Sequence, residues 1–234
     1  MSAPTLLAIA HGSRLDSAVT ATQDIARSAA RIAGAPFADA YLDLAEPSVQ
    51  ARAAELAANQ CPGAIAVPLL FTEAFHATSD VPAALNEAQA ATGLPIHLAG
   101  IIGTGDDVLA VLAEQARAHT AQGQEHSPVV LLAVGSSRPE ANAAVSDLAG
   151  RLGDVLGRRV QAGFATCAPR AADMITADEP GLLLPLFTAP GLLLERTAAS
   201  AAAAGWDTAG HLGAALGPLV AQRYLDCAAA LSAD

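Results

Sequence analysis

Two histidines and two carboxylates stand at or just after short apolar runs in the first half of the chain. His11 follows Leu6–Ala10 in the segment AHGSR, Asp43 and Glu46 lie in YLDLAEP, and His76 lies in LFTEAFHATSDVP. Imidazole and carboxylate groups bind divalent transition metals, and a neutral histidine also accepts a proton at pH 7. These residue types predict an open metal site with bases beside it, if the apolar runs are neighbouring strands.

The apolar runs alternate with longer, Ala-rich segments of helical spacing, which is typical of βα units with a parallel sheet. In the first half the predicted strands are Thr5–Ala10, Phe37–Leu44, Ala64–Phe71 and Pro95–Ala99, and the helices are Asp16–Ile32, one from Pro47, Pro82–Ala91 and Asp106–His119. After the polar stretch Ala121–Pro128, the strands are Val129–Val134, Val160–Ala165 and Gly181–Phe187, and the helices are Pro139–Leu156, Pro190–Ala204 and Leu216–Leu231.

The second half of the chain repeats the element order of the first. Matching pairs in the same order are Ser13-Arg14 with Ser137-Arg138, Pro47 with Pro169, and Leu70-Phe71-Thr72 with Leu186-Phe187-Thr188. We therefore predict an α/β fold of two tandem βα repeats, each with a four-stranded, mainly parallel sheet flanked by helices. The predicted domains are residues 1–120, which carry the metal site, and residues 129–234, a degenerate copy, with a linker at 121–128.

The candidate residues all fall where a parallel sheet binds its ligands, at the carboxyl ends of the strands. Aligning the halves places Gly135, Ala165, Ala168 and Leu192 opposite His11, Asp43, Glu46 and His76, in that order. A copy of the same fold would keep some of these polar groups if they served only local structure. Their joint loss indicates one active half and one that closes the cavity.

Composition excludes several classes of function. The net charge is -11, and all 12 cationic residues are arginine, so broad nucleic-acid binding is not expected. The 3 cysteines are far apart and odd in number, which argues against a disulfide framework and for a reducing cytoplasm. Leu6–Ala10 is too short for a signal-peptide core, and no apolar stretch is long enough to span a bilayer. We expect a cytoplasmic protein with no membrane role.

The segments AHGSR, YLDLAEP and VPLLFTEAFHATSDVP resemble the signatures of sirohydrochlorin chelatases of the CbiX and SirB type, which are class II chelatases. The resemblance covers residues 5–100 at the level of motifs and nearly the whole chain at the level of organisation. It implies a lyase-class metal chelatase that inserts Fe²⁺ or Co²⁺ into sirohydrochlorin, in sirohaem or cobalamin biosynthesis. The divalent metal is then a substrate, the same ligands also suit Ni²⁺, and no organic cofactor is implied.

The resemblance also implies roles for individual residues. His11 and His76 bind the incoming metal and accept pyrrole protons. The family often has glutamate at the position of Asp43, so both Asp43 and Glu46 stay candidates for the carboxylate. Because the protein and the polycarboxylate tetrapyrrole are both negative, local groups have to bind the substrate. The candidates are Arg14, Arg138, Ser13, Thr78 and Ser79, whose hydroxyls are equally suited to cap helices.

Two other functions fit the same residues. A non-catalytic metal or tetrapyrrole carrier would use the same site without turnover. A small-molecule hydrolase or isomerase would use His11 as a base, but no matching nucleophile elbow or phosphate loop occurs in the sequence. Since one chain holds both halves, a monomer would suffice to enclose the cavity, and we expect a monomer.

Overall fold

The computed structural model describes residues 3–72, 79–120 and 126–233, so His76 and Thr78 lie outside the described residues. In the first part of the chain the elements are β1 Thr5–Ala10, α1 Asp16–Ala33, β2 Phe37–Tyr41, α2 Val49–Ala58, β3 Ala64–Pro68, α3 Val81–Thr92, β4 Ile96–Leu98 and α4 Asp106–Ala118. The second part contains β5 Val129–Ala133, α5 Pro139–Leu156, β6 Val160–Phe164, α6 Ala171–Met174, β7 Leu182–Pro185, α7 Leu192–Ala203, β8 Asp207–Thr208, a 3-10 helix Gly213–Leu216 and α8 Gly217–Ala233.

The strands form two four-stranded sheets, in the orders β2-β1-β3-β4 and β6-β5-β7-β8. Every strand pairing in both sheets is parallel. All four carboxyl ends of a parallel sheet therefore lie at one edge, where ligands bind in such folds. The predicted fold class, an α/β chain with two such sheets flanked by helices, is confirmed.

The first compact unit, called unit 1, comprises Met1–Gly103 and Gly213–Asp234. Its central strand β1 is buried along its whole length, as expected for a strand that is covered on both faces. On one face Leu7 and Ile9 pack with Val49 and Ala53 of α2 and with Leu85 of α3. The opposite face is covered by α1 and α8, which pack against each other. The sheet is thus the middle layer of three.

The second compact unit, called unit 2, comprises Thr104–Leu212. In it β5 takes the place of β1, and all five of its residues are buried. On one face Val130 and Leu132 pack with Leu183, with Leu194 of α7 and with Trp206. Helices α4 and α5 pack against each other, and α4 also contacts β7.

The compact units do not coincide with the two halves of the sequence. Helix α8, at the end of the second half, belongs to unit 1, where Arg223 donates to the carbonyls of Ile101 and Ile102 at 2.9 and 2.7 Å. Helix α4 belongs to unit 2, where Arg151 donates to Asp106 at 2.8 Å. The last helix of each half of the sequence belongs to the other compact unit. The division into halves 1–120 and 129–234 stays a prediction about the sequence repeat.

Several predicted boundaries were wrong by a few residues. The strands end earlier than the apolar runs do, so β2 stops at Tyr41 and β3 at Pro68. Helix α2 begins at Val49 and not at Pro47, because the Ser48 side chain accepts from the Ala51 N–H and caps the helix there. Helix α6 and the two-residue strand β8 are too short to give a periodic signal, and neither was predicted.

Within the described residues, none of the helices combines the length and apolarity that a membrane crossing requires.

Candidate active site

The loops that follow β1 and β2 are joined by backbone contacts at the carboxyl edge of unit 1. The Asp43 N–H donates to the His11 carbonyl at 2.9 Å, and the Leu42 N–H donates to the Ala10 carbonyl at 3.1 Å. Gly12 has a φ of +104°, and a Cβ at this position would collide with the Asp43 carbonyl oxygen. Only glycine permits so close an approach. The His11 and Asp43 loops therefore form one closely packed corner, on which the His11 side chain is exposed.

The two candidate carboxylates have different local partners. Asp43 accepts a hydrogen bond from the Leu44 N–H at 2.8 Å. Glu46 accepts from the Ser48 N–H at 2.9 Å, at the residue that caps α2. Both side chains are exposed. Asp43 is fixed directly against the His11 backbone, whereas Glu46 is bonded at the start of the next helix.

A shallow open groove of about 380 Å³ lies beside this corner. It is lined by Ser13, Arg14, Asp16, Val19, Thr20, Leu44, Ala45 and Glu46. Arg14 is exposed and can reach a ligand there. Ser13 accepts a hydrogen bond from the Leu15 N–H at 3.2 Å, which closes the turn into α1. The groove is thus lined by one guanidinium, that of Arg14, and by the carboxylates of Asp16 and Glu46. Ser13 serves first of all to shape the loop.

The remaining candidates of unit 1 cannot all be placed. His76 and Thr78 lie outside the described residues, and Ser79 is exposed just ahead of α3. In the described ranges 3–72, 79–120 and 126–233, no group of three or more His, Cys, Asp or Glu side chains could hold a metal ion. The structure brings His11, Asp43 and Glu46 to one edge, and the second histidine ligand stays a prediction.

Hydrogen bonds give the structural register of the repeat, and that register differs from the sequence alignment. The bond from the Asp43 N–H to the His11 carbonyl has its counterpart in a bond from the Thr166 N–H to the Val134 carbonyl, at 3.0 Å. Gly12 corresponds to Gly135, whose φ of +92° is of the same kind. His11 therefore corresponds to Val134 and not to Gly135, and Asp43 corresponds to Thr166 and not to Ala165.

The same shift of one residue changes the position of Arg138. Its N–H donates to the Ser136 side chain at 3.1 Å, as the Leu15 N–H does to Ser13. Arg138 thus corresponds to Leu15, just ahead of its helix, and not to Arg14. A shift also affects the repeated Leu-Phe-Thr tripeptide, because the bonds to the β1 and β5 carbonyls come from Leu69 and Leu186.

The alignment of Glu46 with Ala168 agrees with the structure. The Tyr41 N–H donates to the Pro47 carbonyl at 3.0 Å, and the Phe164 N–H donates to the Pro169 carbonyl at 2.9 Å. Between these anchors the loop of unit 2 is one residue shorter. This deletion explains why the two strand-end loops could not be aligned with a single offset.

A buried polar network, which was not predicted, supports the edge strand β2. Asp39 is only 5% exposed, and it accepts from the Tyr41 hydroxyl at 2.8 Å and from Arg52 at 3.2 Å. Arg52 also donates to the Asp39 carbonyl at 2.8 Å. Burial raises the pKa of Tyr41, and the hydrogen bond and charge of Asp39 raise it further, so the phenol stays a donor. The sequence signal for this network was an acidic residue, Asp39, at an inward-facing position of a strand.

Among the described residues of unit 2, this network has no equivalent. The strand registers place Ala162 at the position of Asp39 and Phe164 at the position of Tyr41. The network therefore belongs specifically to the unit that carries His11. It anchors Tyr41, from which the Asp43 loop begins.

Comparisons with known proteins agree with these observations. The CbiX family model matches residues 5–119, which contain His11, Asp43, Glu46 and His76. No curated protein matches the sequence.

Solved structures share the fold over nearly the whole chain. SirB from Bacillus subtilis with Fe³⁺ has a TM-score of 0.76 at 21% identity, covering 98% of this chain and 95% of that one. SirB from Bacillus subtilis subspecies spizizenii in complex with cobalt has a TM-score of 0.76 at 20% identity, covering 97% and 94%. CbiX, described as the terminal enzyme for biosynthesis of sirohaem in denitrifying bacteria, has a TM-score of 0.70 at 23% identity, covering 95% and 98%. At these identities the likeness establishes the fold.

Proposed function

Through residues 5–119 this chain belongs to the CbiX family, and from that membership we propose that it is a sirohydrochlorin chelatase. The enzyme inserts Fe²⁺ or Co²⁺ into sirohydrochlorin, in sirohaem or cobalamin biosynthesis, and is a lyase-class metal chelatase. The related SirB structures contain Fe³⁺ and cobalt, which supports a divalent iron or cobalt ion as the metal substrate here. The donor atoms also suit Ni²⁺.

The observation that carries the proposal is the exposed His11 on the corner with Asp43. An incoming metal ion needs ligands that are fixed in place but open to solvent, because it must arrive hydrated and leave for the ring. The bond between Asp43 and His11 and the close packing at Gly12 meet the first condition, and the exposure of both side chains meets the second. At the same positions unit 2 has Val134 and Thr166.

In this proposal the protein's own groups hold the metal and remove protons. His11 and His76 bind the ion and accept the pyrrole protons, as neutral imidazoles do near pH 7. Asp43 is the better candidate for the carboxylate, because its backbone is bonded to His11. Glu46 instead bonds the residue that caps α2, and we expect it to shape the turn.

Binding of the substrate carboxylates is proposed for side chains around the strand ends. Arg14 lines the groove beside His11, and Ser79 and Thr78 are the proposed hydroxyl donors. Charged, bidentate guanidinium contacts suit carboxylates better than any neutral donor does. We also propose that a single chain is the cytoplasmic working unit, because it contains both four-stranded units, and that no organic cofactor takes part.

The test is a spectroscopic insertion assay under anaerobic conditions with sirohydrochlorin and Fe²⁺, Co²⁺ or Ni²⁺. The wild-type protein should form many product molecules per chain. His11→Ala and His76→Ala should each lower the rate by about a hundredfold or more, the usual size for loss of an essential base. Glu46→Gln, as the matched variant, should keep most of the activity, whereas Asp43→Asn should not.

Two outcomes would contradict the proposal. Full activity of the His11→Ala and His76→Ala double variant would show that these histidines do not deliver the metal. Tight binding of metal or tetrapyrrole with no more than one product per chain would favour a carrier instead.

A further inference from the structure

Leu44 has a backbone conformation that residues other than glycine rarely adopt. It lies in the loop between β2 and α2, and its φ is +59°. In this left-handed region the Cβ atom comes too close to the following carbonyl oxygen, which disfavours large side chains most of all. Within residues 3–72, 79–120 and 126–233, the other non-glycine residue with a positive φ is Gln60, at +54°.

The conformation of Gln60 is explained by the end of a helix. Helix α2 ends just before it, and the Gln60 N–H donates to the Ala57 carbonyl and the Cys61 N–H to the Leu56 carbonyl, both at 3.0 Å. Bonds of this kind are a common way in which a left-handed residue ends a helix. Leu44 instead follows strand β2. Strained residues without such a local reason cluster at functional sites.

The conformation of Leu44 closes a γ-turn at the candidate carboxylate. The Ala45 N–H donates to the Asp43 carbonyl at 2.8 Å across Leu44, and a γ-turn with a positive φ at its central residue is the rare and strained form. The Leu44 N–H donates to Oδ1 of Asp43 at 2.8 Å. Because the Asp43 N–H also donates to the His11 carbonyl at 2.9 Å, the backbone of Asp43 and one oxygen of its carboxylate are both held.

The corresponding loop of unit 2 is built differently. Between Thr166 and Pro169 it has one residue fewer than unit 1 has between Asp43 and Pro47. The Thr166 hydroxyl donates back to the Val134 carbonyl at 2.7 Å. Among the described residues of unit 2, positive φ values occur at glycines alone. The additional residue of unit 1 therefore accompanies the strained turn and the backbone bond to the carboxylate.

The carboxylate that the turn holds is still accessible to an ion. Asp43 is exposed, and Leu44 is 45% exposed beside it. A carboxylate with one oxygen bonded to a backbone N–H has fewer orientations to lose when it binds an ion. Groups that orient a metal ligand in this way change metal affinity although they do not touch the metal.

We propose that the γ-turn at Leu44 positions the Asp43 carboxylate for the incoming metal ion. Leu44 is a positioning residue, since its backbone acts on the ion through Asp43. The inference rests on the proposed function, because it requires Asp43 to be a ligand of the metal substrate. The strain at Leu44 then has a purpose, which is to fix this ligand before the ion arrives.

The experiment measures the Co²⁺ affinity of the full chain by calorimetry and its rate of insertion into sirohydrochlorin. Leu44→Ile keeps the size and apolarity of the side chain, but a β-branched residue is poorly compatible with a left-handed φ. The turn should open, and affinity and rate should each fall about tenfold or more. Leu44→Gly adopts the same φ without strain, so it should bind Co²⁺ within about twofold of the wild type and resist urea at least as well.

Gln60→Ile is the matched control. It places the same β-branched side chain at the same kind of φ, at an exposed position after the last turn of α2. It should lower the urea midpoint about as much as Leu44→Ile does, but it should leave the Co²⁺ affinity and the insertion rate unchanged. A purely structural role of Leu44 would not separate the two isoleucine variants in metal affinity.

A double-mutant cycle tests whether Leu44 acts through Asp43. In the Asp43→Ala background, Leu44→Ile should weaken Co²⁺ binding no further, because the carboxylate that the turn positions is already absent. Deletion of Leu44 is a second variant, which gives the loop the length that it has in unit 2. It should lower Co²⁺ affinity about tenfold or more, and it tests the turn even if Leu44→Ile folds poorly.

The outcomes distinguish this inference from the proposed function. If the wild type, Leu44→Ile and the deletion variant bind Co²⁺ and insert it equally well, the inference is wrong and the proposed function stands. Equal losses of affinity in Leu44→Ile and Gln60→Ile would also contradict the inference, since the effect would then be general destabilisation. If the wild type inserts no metal into sirohydrochlorin, the proposed function is wrong, and the inference fails with it.

Discussion

The two units build the same sheet edge with opposite chemistry. In unit 1 the residue after β1 is His11, the loop after β2 carries Asp43 and Glu46, and a groove stays open beside them. In unit 2 Val134 replaces the histidine, and Asn142 bonds Ser136 and Cys167. The backbone bonds that anchor the two loops nevertheless correspond, although the loop of unit 1 is one residue longer and has a further bond from the Ala45 N–H to the Asp43 carbonyl. The scaffold is therefore independent of the chemistry that it carries.

The difference shows which features the two units share and which they do not. Bonds that fix the loop, such as those from Asp43 to His11 and from Thr166 to Val134, are kept in both units. Side chains that face solvent at the edge differ almost completely. The comparison can be tested at matched positions.

The largest effect is expected at the glycine that lets the loops meet. In Gly12→Ala the new Cβ would collide with the Asp43 carbonyl, a backbone atom that cannot rotate away. Strained φ and overpacking together should cost about 3 to 5 kcal/mol. Urea unfolding followed by circular dichroism measures this loss, and metal insertion should fall with it because His11 and Asp43 move apart.

Gly135→Ala is the matched variant in unit 2. There the nearest atoms are the Cys167 sulfur at 2.7 Å and the Thr166 hydroxyl at 3.0 Å, and both belong to side chains that can turn. The expected cost is about 2 kcal/mol. Equal losses in the two glycine variants would mean that the corner at His11 is no tighter than its copy.

The second effect concerns the buried network around Asp39, which the described part of unit 2 lacks. Asp39→Ala would leave the Tyr41 hydroxyl without its carboxylate acceptor and would remove one acceptor from Arg52, which keeps Glu55 and the backbone carbonyl of residue 39. The loss should cost about 2 to 3 kcal/mol. Asp24→Ala is the control, because the Asp24 and Arg27 side chains are 47% and 59% exposed. That pair should contribute less than about 0.5 kcal/mol. Similar losses of stability in the two variants would mean that the buried network around Asp39 does not stabilise unit 1.

The fold could be predicted because it depends on periodicity. Helix α5 was predicted with its observed bounds, Pro139–Leu156, since a proline begins it and Gly157 in a left-handed conformation ends it. Strand β8 could not be predicted, because two residues give no periodic signal. The early end of β2 could not be predicted either, because the apolar run continues past the last ladder bond. The repeat was recognised, but identical tripeptides aligned it one residue out of register, since sequence identity does not determine which N–H meets which carbonyl.

For the candidate site, only the positions of residues could be compared with the structure. His11, Asp43 and Glu46 were expected at the carboxyl edge from residue type and from their place after apolar runs, and they lie there, whereas their roles stay a prediction. The Asp39 network was missed, because its partners Tyr41, Arg52 and Gln23 come from three different elements. The correspondence of Val134 with His11 was missed, because the sequence alignment paired His11 with Gly135.

The third effect concerns the hydrogen bonds by which the Asn142 side chain joins the loops of unit 2. Asn142→Ala removes two bonds to the Ser136 backbone and should cost about 1 to 2 kcal/mol. Its counterpart Val19 is half-buried beside the groove of unit 1, and Val19→Ala should cost less than about 1 kcal/mol. Trp206, the single tryptophan, is buried in unit 2, so its fluorescence follows that unit in urea. A larger shift of the urea midpoint of Trp206 fluorescence for Val19→Ala than for Asn142→Ala would mean that Asn142 does not stabilise the loops of unit 2.

The smallest effect compares Ser48 with Arg170, which hold equivalent positions at the ends of the two β2-type loops. Each forms an isolated backbone β-bridge with the aromatic residue that ends its strand, Ser48 with Tyr41 and Arg170 with Phe164. Ser48 caps α2, so Ser48→Ala should cost about 1 kcal/mol. Arg170 makes no side-chain cap bond to α6, and Arg170→Ala should change stability by less than about 0.5 kcal/mol. Thermal melting of both variants measures the difference, and equal losses of stability would mean that the Ser48 cap contributes no more than the uncapped position of Arg170 does.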